Sequence, residues 1–334
     1  MGRLAVLALG IGLGTAIGLI LWTGTDAVAG LLAGGGWTLL LVPAFHLLPM
    51  LCTALAWRSL LMAQGVRQPW WRLGWYRWLA DSINALLPVA QIGGEVVRSH
   101  LLARRGVPGT VAAASVIVDL TAGLATLVAF ILGGLGLAAA GREAAAVGPL
   151  ALGVAVFGLL ILGFYRLQRS RLPLRLAQRL SLALGGPAWS RLAGGTAALD
   201  GQLSALYARP GALARCAGWR MTAWIAGALE MALAATLLGH AVGLRDILIF
   251  EAVSQAFRNA GFAIPGALGV QEGGMMLAGT LIGLPPELGL TLALVKRMRD
   301  LVLGVPALVI GFPELALGRK PQTPPASGRP PGGP

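Results

Sequence analysis

The chain has 334 residues, of which 56% are hydrophobic and only 12% charged; a soluble domain needs about 25% charged residues to solvate its surface, so a water-bathed globule is excluded. The formal net charge of +13 does not make a nucleic-acid surface, because the basic residues fall in short blocks between apolar runs, as they do beside membrane segments. Cys52 and Cys216, and His46, His100 and His240, stand far apart; neither a structural disulfide nor a metal-ligand spacing is present, and no metal or cofactor is expected.

A hydrocarbon core about 30 Å thick takes roughly 20 apolar residues per helix. The first such run is Leu4–Trp22, behind Arg3. It is longer than a signal-peptide core and more runs follow it, so it reads as a span. Further spans are expected at Leu39–Trp57, Val111–Leu137 with Asp119 inside, Val147–Tyr165, Met221–Leu238 with Glu230 inside, and Leu288–Phe312, which carries Lys296, Arg297, Arg299 and Asp300. Two regions do not read as simple spans. Leu79–Leu102 contains ALLPVAQIGGEVVRSHLL, and Ile247–Ile282 contains AIPGALGVQEGGMMLAGTLIG. Proline and clustered glycine break helices, so both are expected to be re-entrant or broken. The stretch 166–220 holds nine arginines against the single acid Asp200, with Leu and Ala between them. It reads either as amphipathic helices on an anionic leaflet or as a solvated cytoplasmic loop. Trp70, Trp71, Trp75, Tyr76 and Trp78 form an interfacial aromatic belt. The tail, 316–334, is rich in Pro and Gly and is expected to be disordered.

The two broken regions repeat one another. Pro88, Glu95, Gly106 and Pro108 recur 177 positions later as Pro265, Glu272, Gly283 and Pro285. The copies span about 37–137 and 214–314. In each, a re-entrant motif is expected: Pro88, Gly93, Gly94 and Glu95 in the first, Pro265, Gly269, Glu272 and Gly273 in the second. Lys and Arg in short loops mark the cytoplasmic side. Arg58, Arg67, Arg72 and Arg77, then Arg98, Arg104 and Arg105, then the 166–220 stretch and the tail's Arg319, Lys320 and Arg329 are set against Arg142, Arg245 and Arg258. Both termini then lie in the cytoplasm, and the second and fifth spans run in opposite directions. The expected architecture is therefore an all-α polytopic inner-membrane protein of two inverted repeats, a transporter design with its site near the midplane.

Ionisable groups in hydrocarbon are costly unless paired or facing a wet cavity. Helical spacing allows Glu95 to pair with Arg98, Arg297 with Asp300, and Lys296 with Asp300. Such pairs would pin the breaks to neighbouring helices. Alternatively Arg98, Arg258 and Arg297 face a cavity and hold a lipid phosphate, to which guanidinium is well shaped, with Asn84, Gln91, Ser99 and Gln271 adding polar contacts. Asp119, Glu230 and Asp300 are candidates for charge pairing or for carrying protons.

At these residues a resemblance appears. LLPVAQIGGEVVRSHLLARRGVP, and IPGALGVQEGG followed by ALVKRMRDLVLG, resemble the two signatures of the flippase-like membrane family typified by the transmembrane half of lysylphosphatidylglycerol synthase. The resemblance covers about residues 1–315, and NALLPVAQIGGEVV is also similar to members associated with hopanoid biosynthesis. It implies a helical membrane domain with lipid cavities that moves aminoacylated phospholipids or related lipids. The full synthase carries a soluble transferase domain after its membrane part; here a short Pro/Gly-rich tail follows instead, so lipid aminoacylation is not implied. The chain reads as a lipid flippase or lipid-binding transporter whose partners are membrane lipids. The alternative is a non-transporting accessory subunit beside lipid-biosynthesis enzymes. An enzyme lacks support, since no His/Cys cluster or nucleophile motif is visible.

Overall fold

The computed structural model describes residues 25–87, 93–141, 162–163, 166, 187–261, 264 and 267–316, and these are helical or lie in short connections between helices. The expected spans Leu4–Trp22 and Val147–Tyr165, the tail, and Pro88, Gln91 and Pro265 lie wholly or largely outside the described residues. The helices, in chain order, are α1 (Thr25–Gly35), a 3-10 turn (Gly36–Leu40), α2 (Leu41–Ala63), α3 (Trp70–Leu86), α4 (Gly93–Ala103), α5 (Gly109–Ala139), α6 (Pro187–Tyr207), α7 (Pro210–Leu237), α8 (Leu244–Ala260), α9 (Val270–Leu281) and α10 (Pro286–Ala316).

The solvent of this bundle is visible in its surface. Trp37, Val96, Leu244, Val309 and Ile310 are all more than half exposed, a burden of bare apolar area that water would not tolerate. Two segments, Leu32–Ala63 and Gly109–Ala139, are long and apolar enough to cross a membrane by length and composition. Helices α7 and α10 are comparably long, but Arg215, Arg220 and Glu230 on one, and Lys296 to Asp300 on the other, interrupt their apolar runs. The expected span Met221–Leu238 lies in a longer helix that starts at Pro210 and keeps Arg215 and Arg220 helical; the missing N–H of that proline costs nothing at a first helical position.

The helix order repeats. α4 and α5 start at 93 and 109, and α9 and α10 start at 270 and 286, each 177 positions later. The conserved spacing has a local cause. Gly106 and Gly283 both take a positive φ (85° and 78°), a conformation that costs glycine nothing. Each ends a short helix, and Pro108 or Pro285 follows two residues later, with its carbonyl accepting the first bond of the next long helix, from Ala112 or Gly289. Turn and restart are thus encoded in the same G-x-P spacing in both copies.

The packing is exchanged in the same way. α2 packs on α7, while α3 packs on α10 and α8 packs on α5. The α2–α7 pair is antiparallel: His46 meets Glu230, and Ser59 Oγ lies 3.5 Å from the Ala212 carbonyl. The other two pairs are antiparallel as well. Gly134 abuts Ala252 while Arg245 reaches the Leu137 carbonyl (3.0 Å); Gly311 abuts Leu79 while Gly304 abuts Leu86. Gly134 and Gly311 are also 177 apart, and at both the absent Cβ lets two helices touch, as small residues do in membranes. The two largest apolar clusters are one of α2–α5 around Trp57, Leu73 and Leu102 and one centred on α5 and α7–α10 around Ile131, Met231 and Phe250.

The aromatic belt divides. Trp70 and Trp71 are exposed, with the Arg72 guanidinium 5.1 Å over the Trp71 ring. Tyr76 is buried in the core, and Trp78 donates to the Leu303 carbonyl at 2.9 Å.

Candidate functional site: charge clusters beside two helix breaks

Each broken region consists of two helices with a gap, α3/α4 and α8/α9, and each gap must satisfy the backbone donors at the start of the second helix. At the first break the Gly94 N–H donates to Asn84 Oδ1 (2.8 Å). Gly94 itself is packed so closely on the Ala80 carbonyl that no side chain fits there. At the second break Gly269 has φ 79°, and its N–H donates to Glu272 Oε2 (2.7 Å), a carboxylate reaching back to the helix start. Glu272 therefore fastens its helix, and at the first break Asn84 takes the Gly94 donor. Gly93 opens α4 and Gly273 lies in the first turn of α9, its N–H bonded to the Gly269 carbonyl.

Behind the first break lies a closed ionic cluster centred on Asp119 of α5, whose side chain is 0% exposed. Its carboxylate accepts from Arg98 Nη1 (2.6 Å) and from Arg220 Nη2 and Nε (2.5 and 3.1 Å), and Arg77 Nη1 lies 3.7 Å away. Arg98 also donates from Nε to Glu95 Oε2 (2.6 Å), confirming the pair expected from their spacing. Its guanidinium sits 4.9 Å over the Trp57 ring, and Trp57 Nε1 donates to Ser115 Oγ (3.0 Å). Arg77 Nε donates to Asp81 Oδ2 (3.0 Å). Arg98 is thus enclosed between two carboxylates and an indole, with 0% of its side chain exposed, rather than facing a cavity. Ser99, on the same helix, is half-buried outside these contacts.

The second cluster is larger and more open. Glu230 of α7 accepts from Arg299 Nη1 (2.7 Å), and its other oxygen lies 2.7 Å from His46 Nδ1. Arg299 in turn donates from Nε and Nη2 to Asp300 Oδ1 (3.1 and 2.6 Å). Lys296 donates to both oxygens of Glu251 (2.9 and 2.8 Å), which also accepts from Gln255 (2.7 Å). Arg297 Nε donates to Glu272 Oε1 (2.9 Å). Two pairings expected along α10 therefore do not form: Lys296 and Arg297 turn to α8 and α9 instead of to Asp300. Cross-helix carboxylates win because they would otherwise be stranded in an apolar interior.

Two guanidiniums in this second cluster are incompletely neutralised. Arg258 on α8 is half-buried, and its hydrogen bond goes to a neutral group, Gln271 Oε1 (2.9 Å). Arg297 keeps 19% of its side chain exposed, and its Nη2 is a buried donor without an acceptor. Asp300 Oδ2 is likewise buried without a donor.

Sequence reasoning passes over five members of these clusters, Asp81 on α3 among them. Arg77 and Arg220 were assigned to cytoplasmic loops, yet both touch Asp119; Pro210 at the first turn of α7 was the available signal that Arg220 lies well inside a helix. Glu251 went unnoticed inside an apparently broken region, and His46 was set aside as one of three scattered histidines. Cys52 and Cys216 are free and buried. Among the described residues no group of His, Cys, Asp and Glu is arranged to hold a metal ion.

A family model described as the lysylphosphatidylglycerol synthase TM region matches residues 6–307. No curated protein matches the chain.

Proposed function

Because the chain belongs to the lysylphosphatidylglycerol synthase transmembrane-region family, we propose that it is a lipid flippase or lipid-binding transporter of the cytoplasmic membrane, moving a phospholipid or an isoprenoid-derived lipid between leaflets rather than catalysing a reaction. The observation that carries this reading is the pair of half-buried, under-neutralised guanidiniums beside the second helix break, Arg258 and Arg297. A buried cation without a full set of acceptors is costly. A lipid phosphate supplies the missing oxygens in the geometry guanidinium prefers. Gln271, already on Arg258, completes a polar patch. The head-group site therefore belongs at the second break, with Arg258, Arg297 and Gln271 as its contacts. Arg98, Glu95 and Asp119 form the scaffold on the other side, and Asn84 fixes the first break.

Supporting the transport reading is the relation between the copies. The antiparallel run of α2 against its own counterpart α7 is what inverted repeats produce, and in that architecture rocking one copy against the other exposes a midplane site to each side in turn. Both termini, and the segments 57–78 and 166–220, are then cytoplasmic.

Reconstitution tests the proposal. Purified protein in proteoliposomes is expected to accelerate exchange of at least one anionic or isoprenoid-derived lipid between leaflets, measured with labelled lipids over a broad panel. Folded protein that accelerates none of them overturns the proposal; a stoichiometric lipid-synthesis enzyme copurifying with such inactive protein would assign an accessory role instead.

A further inference from the structure

Two buried atoms on α10 lack partners of opposite kinds. Arg297 Nη2 is a donor without an acceptor, and Asp300 Oδ2 is an acceptor without a donor. Residues at this spacing are neighbours on one helix face, yet these two do not bond to each other. Arg297 spends Nε on Glu272 Oε1 across to α9 (2.9 Å), and Asp300 spends Oδ1 on Arg299 Nε and Nη2 (3.1 and 2.6 Å). Buried polar atoms without partners are costly and rare in native interiors. A free donor and a free acceptor within one helical turn fit a ligand that both accepts and donates.

The surroundings narrow its chemistry. Arg258 on α8 is the third member of the group, and Asp300 is the charged residue with the strongest pull on it. Arg258 and Arg297 offer N–H groups to phosphate oxygens. Asp300 Oδ2 then needs a donor from the same ligand. An ammonium placed there would face Arg299 and Arg258, the guanidiniums whose fields bear most on Asp300. A hydroxyl donates without adding charge. The side chains of Arg297 and Asp300 stay 19% and 12% exposed, so the two enclosed atoms lie behind an open edge.

This group belongs to one copy only. The residues 177 positions before Arg258, Arg297 and Asp300 are Asp81, Leu120 and Gly123, and the Arg220 guanidinium packs on Gly123. The glycines and prolines that build the turns recur in both copies. The trio does not, so it is not part of what folds the repeat.

We propose that Asp300 determines which head group the second break accepts: Arg258 and Arg297 hold a phosphodiester, and Asp300 Oδ2 accepts from a hydroxyl of the same head group. The preferred substrate is then an anionic phospholipid that carries a hydroxyl beside its phosphate. This rests on the assignment of Arg258 and Arg297 to the phosphate.

The test varies the lipid before the protein. Wild-type protein in detergent, titrated with short-chain lipids and followed by native mass spectrometry, should bind phosphatidylglycerol about tenfold more tightly than phosphatidylmethanol. The two lipids share their charge and differ in the hydroxyls. Phosphatidylethanolamine, which offers an ammonium instead, should bind no more tightly than phosphatidylmethanol. In D300A the preference for the glycerol lipid should shrink to about twofold or less. D300N keeps the shape and swaps a charged acceptor for a neutral one, so it should give an intermediate preference and serves if D300A folds poorly. Equal binding of the glycerol and methanol lipids by the wild type would mean that solvent fills the place beside Asp300, and it overturns the proposal. A preference kept in full by D300A and D300N does the same, and so does tightest binding of the ethanolamine lipid. The phosphate assignment fails by a different result: R258Q binding phosphatidylmethanol as tightly as the wild type, or folded wild type binding none of the three lipids, refutes that assignment and this proposal with it.

Discussion

Replacing Asp119 by Asn should be among the most damaging single changes in this protein. The carboxylate receives Arg98 and Arg220 within 2.6 Å and has Arg77 at 3.7 Å, and its side chain is 0% exposed. The amide keeps the shape but loses the charge, and it turns an NH2 toward guanidiniums that can only donate. Glu95 and Asp81 still partner Arg98 and Arg77, so the group left stranded is mainly Arg220, which is 7% exposed. Breaking a buried pair by removing one partner costs about 3–5 kcal/mol, on the order of 10 °C in melting temperature. Removing the stranded cation as well should return much of that. In detergent, by thermal-shift or retained-monomer assay, D119N should melt far below the wild type, and D119N/R220Q should recover at least about half of the loss through their coupling. A loss under about 1 kcal/mol in D119N, or a double variant whose loss is the plain sum of the singles, would refute the idea that Arg220 is held in place by this carboxylate.

R98Q should lower yield and melting temperature, because it abandons Glu95 and Asp119 together; a folded, stable R98Q with reduced lipid exchange would restore Arg98 to the head-group site. R258Q, whose partner is the neutral Gln271, should melt within about 1 kcal/mol of the wild type while exchange falls about tenfold, and R297Q should lose exchange with a larger stability cost because Glu272 loses its cation. Alanine substitution at three glycines should rank in damage as Gly94, then Gly134, then Gly311: the new Cβ meets the Ala80 backbone in the first case, the Ala252 Cβ in the second and the movable Leu79 side-chain tip in the third; each costs on the order of 1–3 kcal/mol, and melting temperatures in the reverse order would contradict this packing. Single cysteines placed at exposed positions in 57–78 and 195–207 should resist membrane-impermeant thiol reagents added to intact cells, and labelling of either segment would break the inverted topology.

Much of the architecture was legible because membrane helices announce themselves by length and apolarity, and because Gly106/Pro108 and Gly283/Pro285 encode the same turn in both copies. The partners of the charges were not. Spacing along one helix suggested Glu95 with Arg98, which formed, and Lys296 or Arg297 with Asp300, which did not, because Glu251 and Glu272 on neighbouring helices offered better-placed oxygens. Loop arginines and core arginines look alike in sequence: Arg220 differs from Arg215 only in which face of α7 it occupies. His46 and Glu230 are separated by 184 positions, and nothing local to either announces the other.

The clusters also have an electrical meaning. The first holds three acids, Asp81, Glu95 and Asp119, against Arg77, Arg98 and Arg220. The second holds Glu230, Glu251, Glu272 and Asp300 against Arg258, Lys296, Arg297 and Arg299. Each sums to zero when His46 is neutral. A membrane potential does about 2.3 kcal/mol of work per elementary charge per 100 mV, and on either balanced set it does none. The buried charges of this bundle can therefore shift across the field as a body without drawing on the cell's voltage. A head group held at Arg258 and Arg297 adds its charge to the second set and makes the movement of that set voltage-dependent.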